Sequence, residues 1–385
     1  MIQKIIRLTW LLLVSLSMST AVSAVDTYFV FVGTYTSGDA KGIYTCELDL
    51  ATGSLKKIGV STGVVNPSFL AIHPNGKFLY SVAEIGDFEG KKTGGVAAFS
   101  IDSKTASLTL LNQKSSGGPG ACHISLDRTG KNALVANYGG GSVAALPIGD
   151  DGRLSSPSSV IKHTGSSVTQ SQKAPRAHSI NVGPNNRFAF AADLGIDKVL
   201  IYRLDVEKGL LTPNDPPFVK TALGAGPRHF TFHPSGKFAY VINELDLTVN
   251  TLTFDAAQGS LKSIQTISTL PKGITNTKGF STAEIVAHPG GKFLYGSNRG
   301  HDSIVVYQVN TKTGKLTFVE TEPTGGKNPR NFAVDPSGKY LLAENQSTHS
   351  IVVLQIDPKT GALSPTGHKL DIPSPVCVRF LAKSN

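Results

Sequence analysis

The strongest constraint on this chain is that it repeats. A short turn carrying Pro or Gly runs into an apolar strand in "HPNGKFLYSVAE" from His73, "LDRTGKNALVAN" from Leu126, "GPNNRFAFAAD" from Gly183, "HPSGKFAYVINE" from His233, "HPGGKFLYGSNR" from His288 and "DPSGKYLLAEN" from Asp335. The turn residues Gly76, Gly130, Asn186, Gly236, Gly291 and Gly338 lie 47 to 56 positions apart. A second signature, an apolar strand ending in a Gly-x-Leu turn, recurs at Gly53, Gly152, Gly209, Gly259, Gly314 and Gly361, with Ser107-Leu108 as a degenerate seventh. Every unit reads as four short strands with turns between them and no amphipathic helical pattern. Four antiparallel strands in about fifty residues is the blade of a β-propeller.

The second half of the unit occurs seven times and the first half six. The chain opens on "YFVFVGTY", which reads as a second strand, and ends on "SPVCVRFLA", which reads as a first. Pairing these ends completes a seventh blade and removes an otherwise open sheet edge. The expected fold is all-β: a seven-bladed β-propeller with four antiparallel strands per blade, closed by the C-terminal strand on the N-terminal blade, as one domain over residues 25–385. Residues 155–173, rich in Ser, Thr and Gln, read as a loop within a blade. Cys46 and Cys377 fall in one blade on its third and first strands, two ladder spacings of ~4.8 Å apart and beyond the ~7 Å reach of a disulfide. With Cys122, they read as small buried apolar residues.

Lys4 and Arg7 precede an apolar run over residues 8–18, followed by Ala21-Val22-Ser23-Ala24. This is the pattern of a secretory leader cut after Ala24; its core is shorter than the ~20 residues that span a bilayer. The mature chain is therefore expected to be exported, periplasmic or secreted, with no membrane attachment. Losing Lys4 and Arg7 from a formal charge of +10 still leaves it basic. No dense Lys/Arg run with interleaved aromatics points to nucleic acid.

The turn Pro serves as a ruler for polar residues. Six positions before it stand Ser68, His178, Arg228, Ala283 and Arg330, with Cys122 at the matching place, and one position later Phe69, His123, Ser179, His229, Glu284 and Asn331. Ten positions after it stand Glu84, Tyr138, Leu194, Glu244, Arg299 and Gln346. The first strand of a blade lines the channel and pairs antiparallel with the second, so the start of one meets the end of the other at one channel mouth. Residues that differ from blade to blade at such positions suit a site: His178, Arg228, Glu244, Arg299 and Arg330, with His229, His123 and Arg176 on the same rim. The Asn or Asp nine positions after the Pro recurs in nearly every unit, which suits a loop brace. Asp193 and Asn298 belong to that series and count here also as candidate substrate contacts.

In "GPRHFTFHPSGKFAYVINE", "AHSINVGPNNRFAFAAD", "AEIVAHPGGKFLYGSNR" and "NPRNFAVDPSGKYLLAEN" the chain resembles the lactonase seven-bladed propeller family, which includes bacterial 6-phosphogluconolactonases and fungal carboxy-cis,cis-muconate cyclases. The resemblance covers nearly all the mature chain. It implies an active site of His178, Arg228, Glu244 and Arg299; from their rim positions Arg330, His229, His123, Asp193 and Asn298 are expected around the substrate. It implies no cofactor and no required metal, although a rim of Glu, Asp and Asn is a place for a divalent cation. The implied function is that of a monomeric hydrolase opening a small anionic sugar lactone, with Glu244 or His178 taking the proton from water. A muconate-type cycloisomerase and a non-catalytic propeller that binds a partner on its rim stand as alternatives.

Overall fold

The computed structural model describes residues 26–383, in which the strands form seven four-stranded antiparallel sheets. The leader expected at residues 1–24 lies outside the described residues. Blade 1 consists of Leu70–Ile72, Phe78–Ala83, Gly95–Ile101 and Leu108–Ser115, and blade 2 of Ala121–Leu126, Asn132–Asn137, Ser142–Pro147 and Ser159–Lys162. Blades 3 to 6 open on Ala177–Val182, Pro227–Phe232, Ser281–Ala287 and Pro329–Val334. In blade 7 the C-terminal Pro375–Ala382 is the inner strand beside Thr27–Thr34, Ile43–Asp49 and Leu55–Ser61. The expected 376–380 pairing is present, with Val378 opposite Val32 and Phe380 opposite Val30. Each inner strand packs against the next, and Pro375–Ala382 touches the inner strands of both blade 6 and blade 1, so the ring closes.

The two repeated signatures are one device. The His before the turn Pro reaches the turn Gly of the following blade: His73 Nε2 lies 3.1 Å from the Gly130 carbonyl, His233 Nε2 2.7 Å from Gly291 and His288 Nε2 3.0 Å from Gly338. The Tyr of the Gly-Lys-Phe-x-Tyr strand donates to the Gly carbonyl of the Gly-x-Leu turn in the following blade, at 3.0 Å for Tyr80 to Gly152, Tyr240 to Gly314 and Tyr295 to Gly361. Glycine is required in that turn. At Gly314 φ is +73°, and a Cβ would lie 2.5 Å from the Phe238 ring. The repeat therefore encodes blade-to-blade clasps on the face away from the candidate site.

One local expectation is corrected. Residues 155–173 are not all loop, because Ser159–Lys162 forms the outer strand of blade 2 and Gln170–Gln172 a short 3-10 turn. The strand alternates half-buried and exposed side chains at the sheet edge. An edge strand of that kind carries little apolar signal. The three cysteines are free and buried as expected.

Candidate active site

Six of the seven inner strands carry one extra residue near their start: the ladder slips between Ala121 and His123, Ala177 and Ser179, Pro227 and His229, Thr282 and Ile285, Pro329 and Asn331, and opposite Gly33 and Thr34. A β-bulge bends the strand and re-aims a side chain. The extra residues include Cys122, His178, Arg228, Arg330 and Val376, and all five line one cavity at the channel mouth, together with Ser68 of blade 1. The cavity holds about 10 Å³, close to the room of a single water molecule.

One layer deeper, Phe69 and His229 line both this cavity and a larger one of about 310 Å³ that opens toward the opposite mouth. They form the partition in the channel. His229 packs edge-on against His178 at 5.3 Å between ring centroids and against His123 at 5.4 Å. Its Nδ1 lies 2.9 Å from Glu284 Oε1.

Arg228 is only 2% exposed, and two of its five N–H donors are held, by Glu244 Oε2 at 2.9 Å through Nε and by the Ala283 carbonyl at 2.8 Å through Nη1, which leaves Nη2 for a ligand. Arg299 Nη2 reaches the same Glu244 oxygen at 3.0 Å and donates to the Thr282 carbonyl at 2.7 Å. Glu244 thus braces two guanidiniums. Across the cavity, Tyr35 Oη donates to Glu84 Oε2 at 2.9 Å, Ser68 donates to the same carboxylate, and the Arg330 guanidinium stands 5.5 Å from the Tyr35 ring. Arg228, Arg299 and Arg330 thus gather around the cavity with Glu244 and Glu84, and Glu284 stands behind His229.

Burial brings Arg228 down to about 10, helped by repulsion from Arg299 and Arg330. Burial works against ionisation of Glu244, but Arg299, Arg228 and Arg330 outweigh it and hold the carboxyl below its ordinary value. Burial and the neighbouring Arg228 push His178 well below the usual imidazole range, and burial does the same to His123. Both imidazoles are therefore neutral at pH 7.

A pH dependence of stability follows. The unfolded chain binds protons on these histidines before the folded chain does, so their contribution is complete above about pH 6.5 and is lost as pH falls below it. Glu344, fully buried with both carboxylate oxygens unpartnered, is pushed well above its ordinary value by burial and works in the opposite sense. The melting temperature of the wild type is expected to fall more between pH 7 and pH 5 than that of His178→Asn. Equal falls in the two proteins would contradict a neutral, buried His178.

The structure brings together His178, Arg228, His229 and Arg330 at the cavity, with Glu244 and Arg299 joined to them through Arg228. His123 is on the far side of the partition, facing the opposite mouth, with its ring 4.3 Å from Phe69. Arg176 lies on the rim, 5.3 Å from the Tyr138 ring. Two expected contacts are corrected. Asp193 is fully buried, bonded to His163 Nδ1 at 2.6 Å and to the Arg176 and Gly195 amides, and Asn298 is fully buried with Nδ2 on the Thr269 carbonyl at 3.0 Å. Both side chains are turned into the blade and away from the cavity: Asp193 is used up on His163 and two amides, and Asn298 places its Nδ2 on a carbonyl while its Oδ1 stays buried without a partner. Asn137 and Asn345 do the same with the Ser116 and Thr324 carbonyls.

Tyr35 has no repeat partner and was invisible to the ruler. Glu84 and Glu284 stood on it, but nothing in the pattern separated them from solvated surface carboxylates. Among the described residues, no group of three or more His, Cys, Asp or Glu is arranged to hold a metal ion.

A family model described as lactonase, 7-bladed beta-propeller, matches residues 29–380. The chain belongs to this lactonase family. Among its relatives is the 6-phosphogluconolactonase of Bacillus subtilis, 39% identical over 92% of this chain and 98% of that protein. Among solved structures, the periplasmic gluconolactonase PpgL of Pseudomonas aeruginosa superposes with a TM-score of 0.87 at 33% identity, covering 93% of this chain and 100% of that one. A putative 6-phosphogluconolactonase of Bacteroides fragilis gives 0.86 at 35% identity, covering 92% and 98%. Lactonase propellers of this length thus align from blade 7 through blade 6 and back to the closing strand.

Proposed function

We propose that this lactonase-family chain is a hydrolase that opens an anionic sugar lactone at the bulge-lined channel mouth, acting as a monomer without a cofactor. The observation that carries the reading is the convergence of Arg228 and Arg330 with two imidazoles on a water-sized cavity, with Arg228 held in place by Glu244. Ring-ester hydrolysis needs a positioned water and fixed donors for the oxyanion that develops on the carbonyl. Each such donor is worth ~3 to 4 kcal/mol in comparable sites. Planar guanidiniums also suit the carboxylate or phosphate of a sugar acid. The names of the B. subtilis and P. aeruginosa proteins support a gluconolactone, phosphorylated or not.

The test is a panel of 6-phosphogluconolactone, glucono-1,5-lactone and muconates on purified mature protein. Lactone opening above the spontaneous rate is expected, and a protein active only on muconates would replace hydrolase with cyclase. The leader pattern and the periplasmic neighbour support export. The mature protein is expected to begin at Val25 as one propeller domain; N-terminal sequencing of periplasmic or secreted material that reads Met1 would refute the cleavage.

A further inference from the structure

The geometry points to His229, oriented by Glu284, as the base that takes the proton from the attacking water. This inference rests on the lactonase reading above and names the residue that performs its first step. The pair is built as a carboxylate and imidazole in series. Glu284 Oε1 accepts from His229 Nδ1 at 2.9 Å and from the Ile285 amide at 2.9 Å, while Oε2 accepts from Asn331 Nδ2. Asn331 is fixed in turn, with its Oδ1 accepting from the Val378 amide at 3.4 Å. The carboxylate is therefore immobile, and with Nδ1 as the donor, Nε2 is left as the lone-pair nitrogen. His229 is 4% exposed and lines the water-sized cavity beside Arg228. Nε2 has no protein hydrogen bond among the described residues.

The competing groups are placed less well. Both bonds to Glu244 from Arg228 and Arg299 fall on Oε2, and the carboxylate does not line the cavity. Glu84 already accepts from Tyr35 and Ser68. The nearest side-chain partner of His178 is Cys122 Sγ at 3.9 Å, so no carboxylate selects its tautomer. Burial keeps His229 below the ordinary imidazole value, although Glu284 pulls the other way, so the base is free at neutral pH.

The step balances within the site. Water gives one proton to His229 Nε2 as its oxygen bonds to the lactone carbonyl carbon, and the electron pair of the C=O bond moves to the carbonyl oxygen beside Arg228 and Arg330. Collapse of that oxyanion breaks the ring C–O bond. The imidazolium returns its proton to the departing ring oxygen, leaving a hydroxy acid that ionises to solvent.

The experiment compares wild type, His229→Asn, Glu284→Gln and His178→Asn by pH-stat on 6-phosphogluconolactone and glucono-1,5-lactone, with thermal melts and full pH profiles. His229→Asn is expected to lose at least ~100-fold in kcat. Glu284→Gln is expected to lose ~10²- to 10⁴-fold in kcat with KM little changed, the range of a general-base contribution, whose upper end is the ~10⁴-fold loss when a triad carboxylate is replaced by its amide. Its acidic limb should move to lower pH, because removing the Glu284 charge disfavours the imidazolium. A purely structural Glu284 would lower stability and leave the limb in place. Should His229→Asn fail to fold, the kcat and limb of Glu284→Gln decide alone. A folded His229→Asn within tenfold of wild type, or a Glu284→Gln of unchanged kcat and limb, overturns the assignment while the lactonase reading stands. A wild type inert toward both lactones overturns both.

Discussion

Deleting residues 375–385 is expected to leave a chain that does not fold to a soluble propeller. The deletion removes the inner strand of blade 7, in which Val376, Cys377 and Val378 are at most 3% exposed. Fully burying a side chain of this kind is worth ~1.5 to 3 kcal/mol. The strand also supplies the ladder to Thr27–Thr34, from Tyr28 opposite Ala382 to Thr34 opposite Pro375. Each of those hydrogen bonds is worth ~1 kcal/mol net, and losing them leaves Thr27–Thr34 as an unpaired edge facing the channel. Together these losses are comparable to the ~5 to 15 kcal/mol that holds a typical fold. Soluble yield and a thermal melt are the measurements; a truncated protein that melts like wild type would show that the closure contributes nothing.

The second large effect is expected at the brace between Arg228 and Glu244. Arg228→Lys keeps a charge but loses the planar fork, and one ammonium cannot satisfy both Glu244 Oε2 and the Ala283 carbonyl in the geometry of Nε and Nη1. Turnover is expected to fall at least ~100-fold, the worth of one fixed oxyanion donor, with anion affinity falling alongside it. Glu244→Gln keeps the shape and removes the charge, which leaves Arg228 and Arg299 facing each other without the carboxylate they share. Breaking a largely buried ion pair from one side is strongly destabilising. The melting temperature should therefore fall together with a ~100-fold loss of turnover. Lactone hydrolysis by pH-stat beside a thermal melt separates the two effects, and near-normal turnover in Glu244→Gln would remove the brace from the mechanism.

Arg228 and Glu244 were legible in advance because they lie at opposite ends of one hairpin, and hairpin pairing follows from local sequence. The link from Glu244 to Arg299 crosses from blade 4 to blade 5, as does the one from His229 to Glu284. The ruler placed those residues on one rim without saying which would touch. Asp193 and Asn298 show the limit in the other direction. Their side chains turn to backbone groups ahead of their own blades' inner strands, because a buried carbonyl or amide there needs a partner more than the channel needs another polar group.

By itself the sequence determined the number of blades, the closing strand and the rim on which polar residues collect. All of these follow from periodic apolar patterning and from turn positions that only Gly or Asn occupies comfortably. Tertiary structure alone decided which rim residues enter the cavity. That choice is made by one inserted residue near the start of six inner strands, and a β-bulge has no apolar signature, since the strands on either side of it keep their alternation. It also decided that Glu244 braces arginines while Glu284 orients an imidazole, because a carboxylate's role is set by the charges and donors around it in space and not by its neighbours in the chain.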